Sequence, residues 1–353
     1  MIKYIGSKRK LLPHIMALVQ AVPGLATAAD LFAGTTRVSQ ALKASGLHVH
    51  ANDRSAYGEV LATCYIEADA DAVDHAHVQG LLDHLAGLPG VDGYVTETFC
   101  QRARYFQPHN GRRIDAIRTE IAALALDRIE RAIVLTSLIE AADRVDSTTG
   151  VQMAYLKHWS KRSHNDLELR LPVLLPGSGT ATGLDANALA PKLTVDLAYL
   201  DPPYNQHAYH GNYHVWETIV RGDEPEAYGV AMKRTDVRTS RSAYNSRPNA
   251  LPAFADLVTN LDARFLLVSF NDEGHITPQQ MRDVLTARGE VGELTIAHDR
   301  YVGARIGIHS PSGAKVGAVG HLRNTEHLYL VGEGARELCE HVAGVTDSQP
   351  ACT

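Results

Sequence analysis

A carboxylate, two prolines and a tyrosine follow one another directly after an apolar run, at Asp201, Pro202, Pro203 and Tyr204. The run Leu193–Leu200 is typical of a buried strand, and open α/β sheets bind their ligands at the carboxyl ends of such strands. Successive prolines fix two φ angles and remove two N–H donors, so the local carbonyls face outward as rigid acceptors. The carboxylate adds a charged acceptor, and the tyrosine ring offers a face for stacking. The combination predicts a pocket for a planar group that carries an NH₂.

A strand-terminating turn with a surface Asp201 and a core Tyr204 is the alternative interpretation of these residues. The tetrapeptide nevertheless resembles the catalytic signature of the D12 class amino-methyltransferases, which methylate N6 of adenine in DNA. The longer run from Asp201 to Glu217 is similar to the FokI-type subgroup of that class. The resemblance implies a catalytic role for Asp201, Pro202, Pro203 and Tyr204, and we expect substrate or DNA contacts from the residues that follow, Asn205, Tyr209 and Tyr213.

Two strand ends near the N-terminus could position a cofactor. A strand-like run, Ala26–Leu31, leads through a glycine-containing turn into a helix, which is the ligand-binding corner of a Rossmann-like sheet. A second strand-like run ends at Asp53, nineteen positions after Gly34. This spacing suits a carboxylate that accepts hydrogen bonds from a ribose, although such a pattern can also be purely structural.

The family resemblance implies that S-adenosylmethionine is the cofactor. A Tyr/Trp-x-Gly-x-Lys element that holds its methionine part is matched by Tyr4, Gly6, Ser7 and Lys8, and the glycine motif is matched by Asp30, Phe32, Ala33 and Gly34. Asp185, followed by Ala186, matches by position the acid that receives the adenine amino group of the cofactor. The alternatives are a solvated basic helix start for Lys8 and a helix N-cap for Asp185.

One position departs from the family's Asp/Glu-x-Phe-x-Gly-x-Gly motif, because Thr36 stands in place of the second glycine. If that position requires a positive φ, a β-branched residue there is strained. The departure predicts either a shifted loop or a weakened cofactor site.

The interval 55–179 consists mainly of long, charged stretches at helical spacing. One of them, Arg112 to Arg144, contains no proline and predicts a single long helix. The interval is too long for an ordinary crossover, so we expect an inserted, mostly helical subdomain. In Dam-like members of the resembling family, the target-recognition region lies in the same interval.

Basic side chains interleaved with aromatic rings suit phosphate contacts and stacking on an unpaired base. Such residues surround Trp159 and recur in a loop beyond the tetrapeptide, and we expect DNA contacts from Lys157, Lys161, Arg162, Arg234, Arg238 and Arg241. Solvated charged helix faces are the alternative. The formal net charge of −6 does not exclude this use, because local charge governs steering.

The chain as a whole predicts an α/β fold: a Rossmann-like, S-adenosylmethionine-dependent methyltransferase sheet with the helical insert. We divide it into a discontinuous catalytic domain of residues 1–54 and 180–340, the insert 55–179, and a disordered tail, 341–353. The sequence contains no apolar run long enough for a membrane span, and we expect a cytoplasmic protein. The four scattered cysteines predict neither disulfides nor a zinc site, and the chemistry requires no metal.

The expected activity is transfer of a methyl group to N6 of a flipped-out adenine in double-stranded DNA, in a restriction-modification or epigenetic context. The expected partners are DNA and, in the first context, a cognate restriction endonuclease, with the chain a monomer or dimer. Two alternatives remain open. One is another acceptor, such as RNA adenine or guanine, cytosine N4 or a glutamine side chain. The other is a catalytically inactive DNA-binding or assembly protein, which the departure at Thr36 motivates.

Overall fold

The structure is a computed structural model that describes residues 2–4, 8–203, 205, 209–272, 274–299, 308–309, 315–317 and 323–347. The helices, in chain order, are α1 Leu12–Ala21, α2 Arg37–Ala44, α3 Ala56–Ala62, α4 His75–Gly87, α5 Pro108–Ala123, α6 Arg128–Val145, α7 Ala186–Leu189, α8 Tyr209–Asn212, α9 His214–Arg221, α10 Arg247–Asn260, α11 Pro278–Thr286 and α12 Ala335–Asp347.

The strands are β1 Thr27–Asp30, β2 His48–Asn52, β3 Gly179–Thr182, β4 Thr194–Leu200, β5 Ala227–Tyr228, β6 Lys233–Arg234, β7 Asp262–Asn271, β8 Val291–Asp299, β9 Ile308–His309, β10 Lys315–Gly317 and β11 Arg323–Val331. The structure confirms the predicted α/β class, since it contains a mostly parallel seven-stranded sheet. Two further strand pairs, β5 with β6 and β9 with β10, are short antiparallel ribbons.

The chain forms two compact units, of which the first comprises residues 1–12, 25–189 and 207–242. In this unit β1, β2 and β3 pair in parallel. The helices α2 and α3 pack on β2, and α6 packs on the π-helical turn Thr63–Glu67 that continues α3. Because Arg128 on α6 also donates to the carbonyl of Ala181 in β3, the predicted helical insert belongs to the same unit as these strands.

The second unit comprises residues 13–24, 190–206 and 243–353. Here β4 pairs in parallel with β7, and β7 pairs antiparallel with β11, which pairs antiparallel with β8. The sheet thus ends in a pair of antiparallel strands, β11 and β8. The last four residues of β4 and almost all of β7 are buried, as expected for strands covered on both faces.

Two elements differ from the sequence-based expectation. The single helix predicted from Arg112 to Arg144 is interrupted before α6, because the Asp127 side chain accepts from the backbone N–H of Glu130 and the Glu130 side chain accepts from Asp127. This reciprocal capping box starts a new helix without a proline. The predicted disordered tail is helical up to Asp347, because α12 buries Cys339 and Val342.

Candidate active site

The tetrapeptide segment begins where the sequence predicts, directly after the buried end of β4. Pro202 is buried, while Asp201 and Pro203 are half-buried at the carboxyl end of the strand. Beyond it, the carbonyl of Asn205 accepts a hydrogen bond from Asn245 Nδ2 at 2.7 Å. Tyr204 lies outside the described residues. The strand end therefore presents a carboxylate and rigid proline carbonyls, and their catalytic role stays a prediction.

Asp30, the last residue of β1, anchors the start of the glycine loop, which comprises residues Phe32–Thr36. Its carboxylate is buried and accepts a hydrogen bond from Ser39 Oγ on α2 at 2.6 Å. The backbone N–H of Phe32 also points to it, at 3.4 Å. Asp30 thus connects β1 to α2, and the loop Phe32–Thr36 runs between these two anchored ends. Ala33 is buried within this loop, and Phe32 is half-buried.

Asp53 follows β2 and forms the second anchor. Its Oδ2 accepts from the backbone N–H of Gly34 at 2.8 Å, and its Oδ1 accepts from Ser55 N at 2.9 Å and Ser55 Oγ at 2.6 Å. Burial raises the pKa of the Asp53 carboxyl, and these hydrogen bonds oppose that rise. A Cβ at Gly58 would lie 2.6 Å from Asp53 Cγ, so a glycine there admits the carboxylate.

Asn52 is a site residue that the motif analysis missed. Its Nδ2 donates to the carbonyls of Leu31 at 3.2 Å and Leu184 at 3.0 Å, and its Oδ1 accepts from the backbone N–H of Leu184 at 3.0 Å. The buried amide therefore holds the segment before Asp185 against the ends of β1 and β2. A polar residue beside Asp53 at a strand end is the signal that could have found it.

Asp185 is exposed, and Ala186 behind it is buried. One oxygen of Asp185 accepts from the backbone N–H of Asn187 at 3.1 Å, and its carbonyl accepts from Leu189. These contacts match the helix-start alternative. Through its bonds to Leu31 and Leu184, however, Asn52 also places Asp185 near the ends of β1 and β2. Both interpretations are therefore compatible with one position.

Tyr4 brings the N-terminal element to the glycine loop. A Cβ at Gly34 would lie 3.2 Å from its ring, and its hydroxyl is 3.4 Å from that of Tyr57. Its ring stacks on Tyr213 with centroids 4.5 Å apart and on Tyr209 at 5.3 Å. Burial raises the pKa of Tyr4 well above its usual value. The ring is therefore a neutral wall of this site.

The remaining residues of the predicted N-terminal element are only partly described. Lys8 is buried in a short 3₁₀ turn, Lys8–Lys10, that packs against α2. Gly6 and Ser7 lie outside the described residues. The adjacent Lys3 forms an ion pair with Asp143 at 2.9 Å, which ties this segment to the end of α6.

Tyr213 and Tyr209 differ in what they can contact. Tyr213 is completely buried, with Tyr4 stacked against its ring. Its burial does not support the predicted substrate contact. Its ring instead packs behind Tyr4 and holds that ring in place. Tyr209 is half-buried at the start of α8. The sequence could not distinguish these two tyrosines, because their burial is decided by tertiary packing rather than by their sequence neighbours.

We name the assembly of Tyr4, Gly34, Asn52, Asp53 and Asp185 the cofactor corner. It combines an exposed carboxylate, a second carboxylate at a strand end and a glycine that lies close to an aromatic ring. Carboxylates can accept hydrogen bonds from hydroxyl and amino groups, which suits the polar groups of a methyl donor. All five residues lie in the first unit.

The basic residues predicted to contact DNA fall into two groups. Arg234 is almost wholly buried, and its guanidinium donates to Asp223 at 2.7 Å and to Asp236 at 2.9 Å. Arg162 is half-buried and is bonded to the carboxylate of Asp146. Both arginines are committed to carboxylates, so their placement does not support the predicted phosphate contacts.

The other group is exposed to solvent and consists of Lys157, Lys161, Arg238 and Arg241. The guanidinium of Arg238 stacks over the ring of Tyr228 at 3.9 Å. Among the residues that the structure describes, no group of three or more His, Cys, Asp and Glu side chains could hold a metal ion. Within the same ranges, no helix is long and apolar enough to cross a membrane.

Residues 4–284 match the family described as D12 class N6 adenine-specific DNA methyltransferase. Three relatives are similar over most of the chain. The modification methylase StsI of Streptococcus sanguinis is 33% identical over 80% of this chain and 46% of its own length. The Type II methyltransferase M.NlaIII of Neisseria lactamica is 31% identical over 84% of this chain and 92% of its own.

The Type II methyltransferase M.FokI of Planomicrobium okeanokoites is 30% identical over 81% of this chain and 47% of its own length. The chain thus spans about half the length of StsI and M.FokI and nearly all of M.NlaIII. The matched region contains both the cofactor corner and the segment after β4. The chain belongs to the D12 class N6 adenine-specific DNA methyltransferases.

Proposed function

We propose that this protein is a site-specific methyltransferase that moves a methyl group from S-adenosylmethionine to N6 of adenine in double-stranded DNA. The observation that carries the proposal is the position of Asp201–Pro203 directly after the buried parallel strand β4, in a chain of this family. The modification methylases among its relatives support a restriction-modification context. In that context a cognate restriction endonuclease would be the partner, and the chain would act as a monomer or a dimer.

The cofactor corner would hold the methyl donor. Tyr4, Lys8 and Gly34 would contact the methionine part, and Asp185 would receive the adenine amino group. Asp53 would receive the ribose: a carboxylate has about four lone-pair sites, and Gly34 and Ser55 occupy three of them. One ribose hydroxyl can therefore be added. The bound cofactor supplies an electrophilic methyl group on a sulfonium sulfur.

Asp201 and the carbonyl of Pro202 would act on the acceptor. The lone pair of the adenine N6 is delocalised into the ring and is a weak nucleophile in that form. Two fixed acceptors, each accepting a hydrogen bond from one N6–H group, favour a pyramidal nitrogen whose lone pair is localised. Because these acceptors are held in place before the substrate arrives, they stabilise the reacting arrangement without reorganisation.

The target atom is inaccessible in a base pair, so the adenine must leave the duplex before it reacts. Tyr204 would stack on the flipped base. The exposed cations Lys157, Lys161, Arg238 and Arg241 would bind phosphates around it. Arg162 and Arg234 have no place in this proposal, because their guanidinium groups are bonded to carboxylates.

The test is transfer of labelled methyl from S-adenosylmethionine to unmodified plasmid DNA, followed by nucleoside analysis. Wild-type protein should produce N6-methyladenine, and Asp201→Ala should lower the rate by at least about a hundredfold, the scale of losing one preorganised polar group. Asp196→Ala is the matched control. This aspartate lies on the same strand and pairs with the exposed Arg264, so its loss should leave transfer unchanged.

The products separate the alternatives. N4-methylcytosine, or methylation of RNA in preference to DNA, would assign another acceptor to the same pocket. Folded protein that binds DNA but transfers no methyl group would show that the enzyme proposal is incorrect.

A further inference from the structure

The glycine loop contains two residues in the left-handed backbone conformation. Gly34 has φ of 52°, and Thr36 has φ of 61° and ψ of 16°. The backbone at Thr36 is therefore in the left-handed region that glycine adopts without a steric penalty, although a threonine stands in place of the motif's second glycine. For residues with a Cβ this conformation costs about 1–2 kcal/mol, and for a β-branched residue it is rare. Something near Thr36 must offset that cost.

The side chain of Thr36 is completely buried and has two hydrogen bonds. Its hydroxyl donates to the carbonyl of Thr35 at 2.7 Å and accepts from Gln40 Nε2 at 2.8 Å. Because the hydroxyl has only one proton, the bond to Thr35 requires Gln40 to present its NH₂ group. The orientation of the Gln40 amide is therefore fixed by the single proton of the Thr36 hydroxyl.

The backbone of Thr36 is held as well. Its N–H donates to the carbonyl of Ala33 at 2.6 Å, and its own carbonyl accepts from the N–H of Gln40 at 2.7 Å. Gln40 thus bonds Thr36 through both main chain and side chain. The turn that these bonds close contains Gly34, whose N–H is held by Asp53.

We infer that Gln40 is a positioning residue for the cofactor loop: by bonding the Thr36 hydroxyl, it holds this threonine in the conformation that a glycine would adopt freely. The inference rests on the proposed function, because the loop's purpose is to receive S-adenosylmethionine. It has a specific consequence. Gln40 matters for cofactor binding when residue 36 is threonine and becomes dispensable when it is glycine, because glycine needs no partner to occupy this conformation.

The test is a double-mutant cycle with Gln40→Ala, Thr36→Gly and the double variant. The readouts are the dissociation constant for S-adenosylmethionine, measured by titration calorimetry, and the free energy of unfolding in urea. Gln40→Ala should weaken binding about tenfold in the wild-type background and less than about twofold in the Thr36→Gly background, as coupled sites do.

Gln79→Ala is the matched control. Gln79 is also a helical glutamine with a side-chain hydrogen bond four residues along, to Asp83 at 2.8 Å, but it is exposed and remote in sequence from the loop. Its replacement should leave cofactor binding unchanged. Gln40→Met, which keeps the side-chain length but offers the threonine hydroxyl no N–H donor, should behave like Gln40→Ala.

The outcomes separate this inference from the proposed function. If wild-type protein binds S-adenosylmethionine and Gln40→Ala weakens binding equally in both backgrounds, or in neither, the inference is overturned and the proposed function stands. If folded wild-type protein does not bind S-adenosylmethionine, the cofactor proposal itself fails and the inference fails with it.

Discussion

The cofactor corner and the basic segments 157–164 and 233–241 are stabilised by different kinds of interaction. In the corner, carboxylates and an amide accept or donate at backbone groups: Asp53 binds the N–H of Gly34, and Asn52 binds Leu184. In the basic segments, charged side chains pair with one another, as Arg234 does with Asp223 and Asp236. In the corner, two predicted site residues, Asp53 and Gly34, are therefore bonded directly to each other. Arg234 is instead bonded to two acids that were not predicted as site residues.

This difference determines what a substitution reports. A change in the corner alters backbone geometry and the proposed ligand site together, because the same hydrogen bonds serve both. In the basic segments, the buried ion pairs and the proposed nucleic-acid contacts belong to different side chains of the same charge. Arg234 and Lys161 are both cations, but one is buried and paired and the other is exposed.

Arg234→Met should have the largest effect on stability. It removes the buried guanidinium that Asp223 and Asp236 share, each of which is about a third exposed, although both still contact Arg221. A buried pair broken on one side costs about 3–5 kcal/mol, and partial exposure lowers this to about 2–3 kcal/mol of unfolding free energy. Urea denaturation measures the change. Arg238→Met, which removes an exposed guanidinium from the face of Tyr228, is the control and should cost less than about 1 kcal/mol.

The same variant has a signature in acid. Burial alone would raise the pKa values of Asp223 and Asp236, but hydrogen bonds from Arg234 hold both below their ordinary values. A carboxylate with a lowered folded-state pKa stabilises the fold above its unfolded pKa, about 4, and loses that contribution as the pH falls further. Wild-type stability should therefore decline below about pH 4 more steeply than that of Arg234→Met. Equal slopes would show that the ion pairs contribute nothing.

Gly34→Ala should have the next largest effect, and it acts on the cofactor corner. A left-handed alanine costs about 1–2 kcal/mol, and its Cβ would lie 3.2 Å from the Tyr4 ring. We expect that loss of unfolding free energy and, by calorimetry, at least about tenfold weaker binding of S-adenosylmethionine, equivalent to about 1.4 kcal/mol. Gly46→Ala is matched in having a positive φ of 91° with no atom within 4 Å. Gly46→Ala should lose unfolding free energy without losing cofactor affinity. Equal losses of affinity in the two variants would show that the contact with the Tyr4 ring is not the cause.

Lys161→Ala should have the smallest effect on stability, within about 0.5 kcal/mol, because its side chain is exposed. Its effect should appear in DNA affinity measured at several salt concentrations. Loss of one phosphate contact weakens binding similarly on all sequences and reduces the slope of log K against log salt by about one. An unchanged slope would remove Lys161 from the DNA-contacting surface.

The parts of the structure that the sequence predicted depend on local patterns. The run before Asp201 has the length and composition of a buried strand, and β4 ends one residue before that carboxylate. Asp53 at the end of β2 follows from βαβ spacing, and the structure joins it to Gly34. In each case a few neighbouring residues carry the whole signal.

The parts that could not be predicted depend on partners far away in sequence. Nothing near Tyr213 indicates that its ring is covered by Tyr4, and nothing near Asn52 indicates that it bonds Leu184. Arg234 has its two acids only eleven and two positions away, yet a basic loop and a buried ion pair have the same local composition. Its burial is decided by tertiary packing, which composition does not report.

The contact between Tyr4 and Tyr213 has a consequence for synthesis of the protein. The two rings are more than two hundred residues apart in sequence. The ion pair of Lys3 likewise requires Asp143, which is synthesised much later. At about 5–20 residues per second, the N-terminal segment leaves the ribosome some tens of seconds before its aromatic partner does. The segment after β4, with Asp201, is translated before Tyr213. The nascent chain therefore cannot complete the wall of the cofactor corner until Asp201, which we propose binds the acceptor, has already been made.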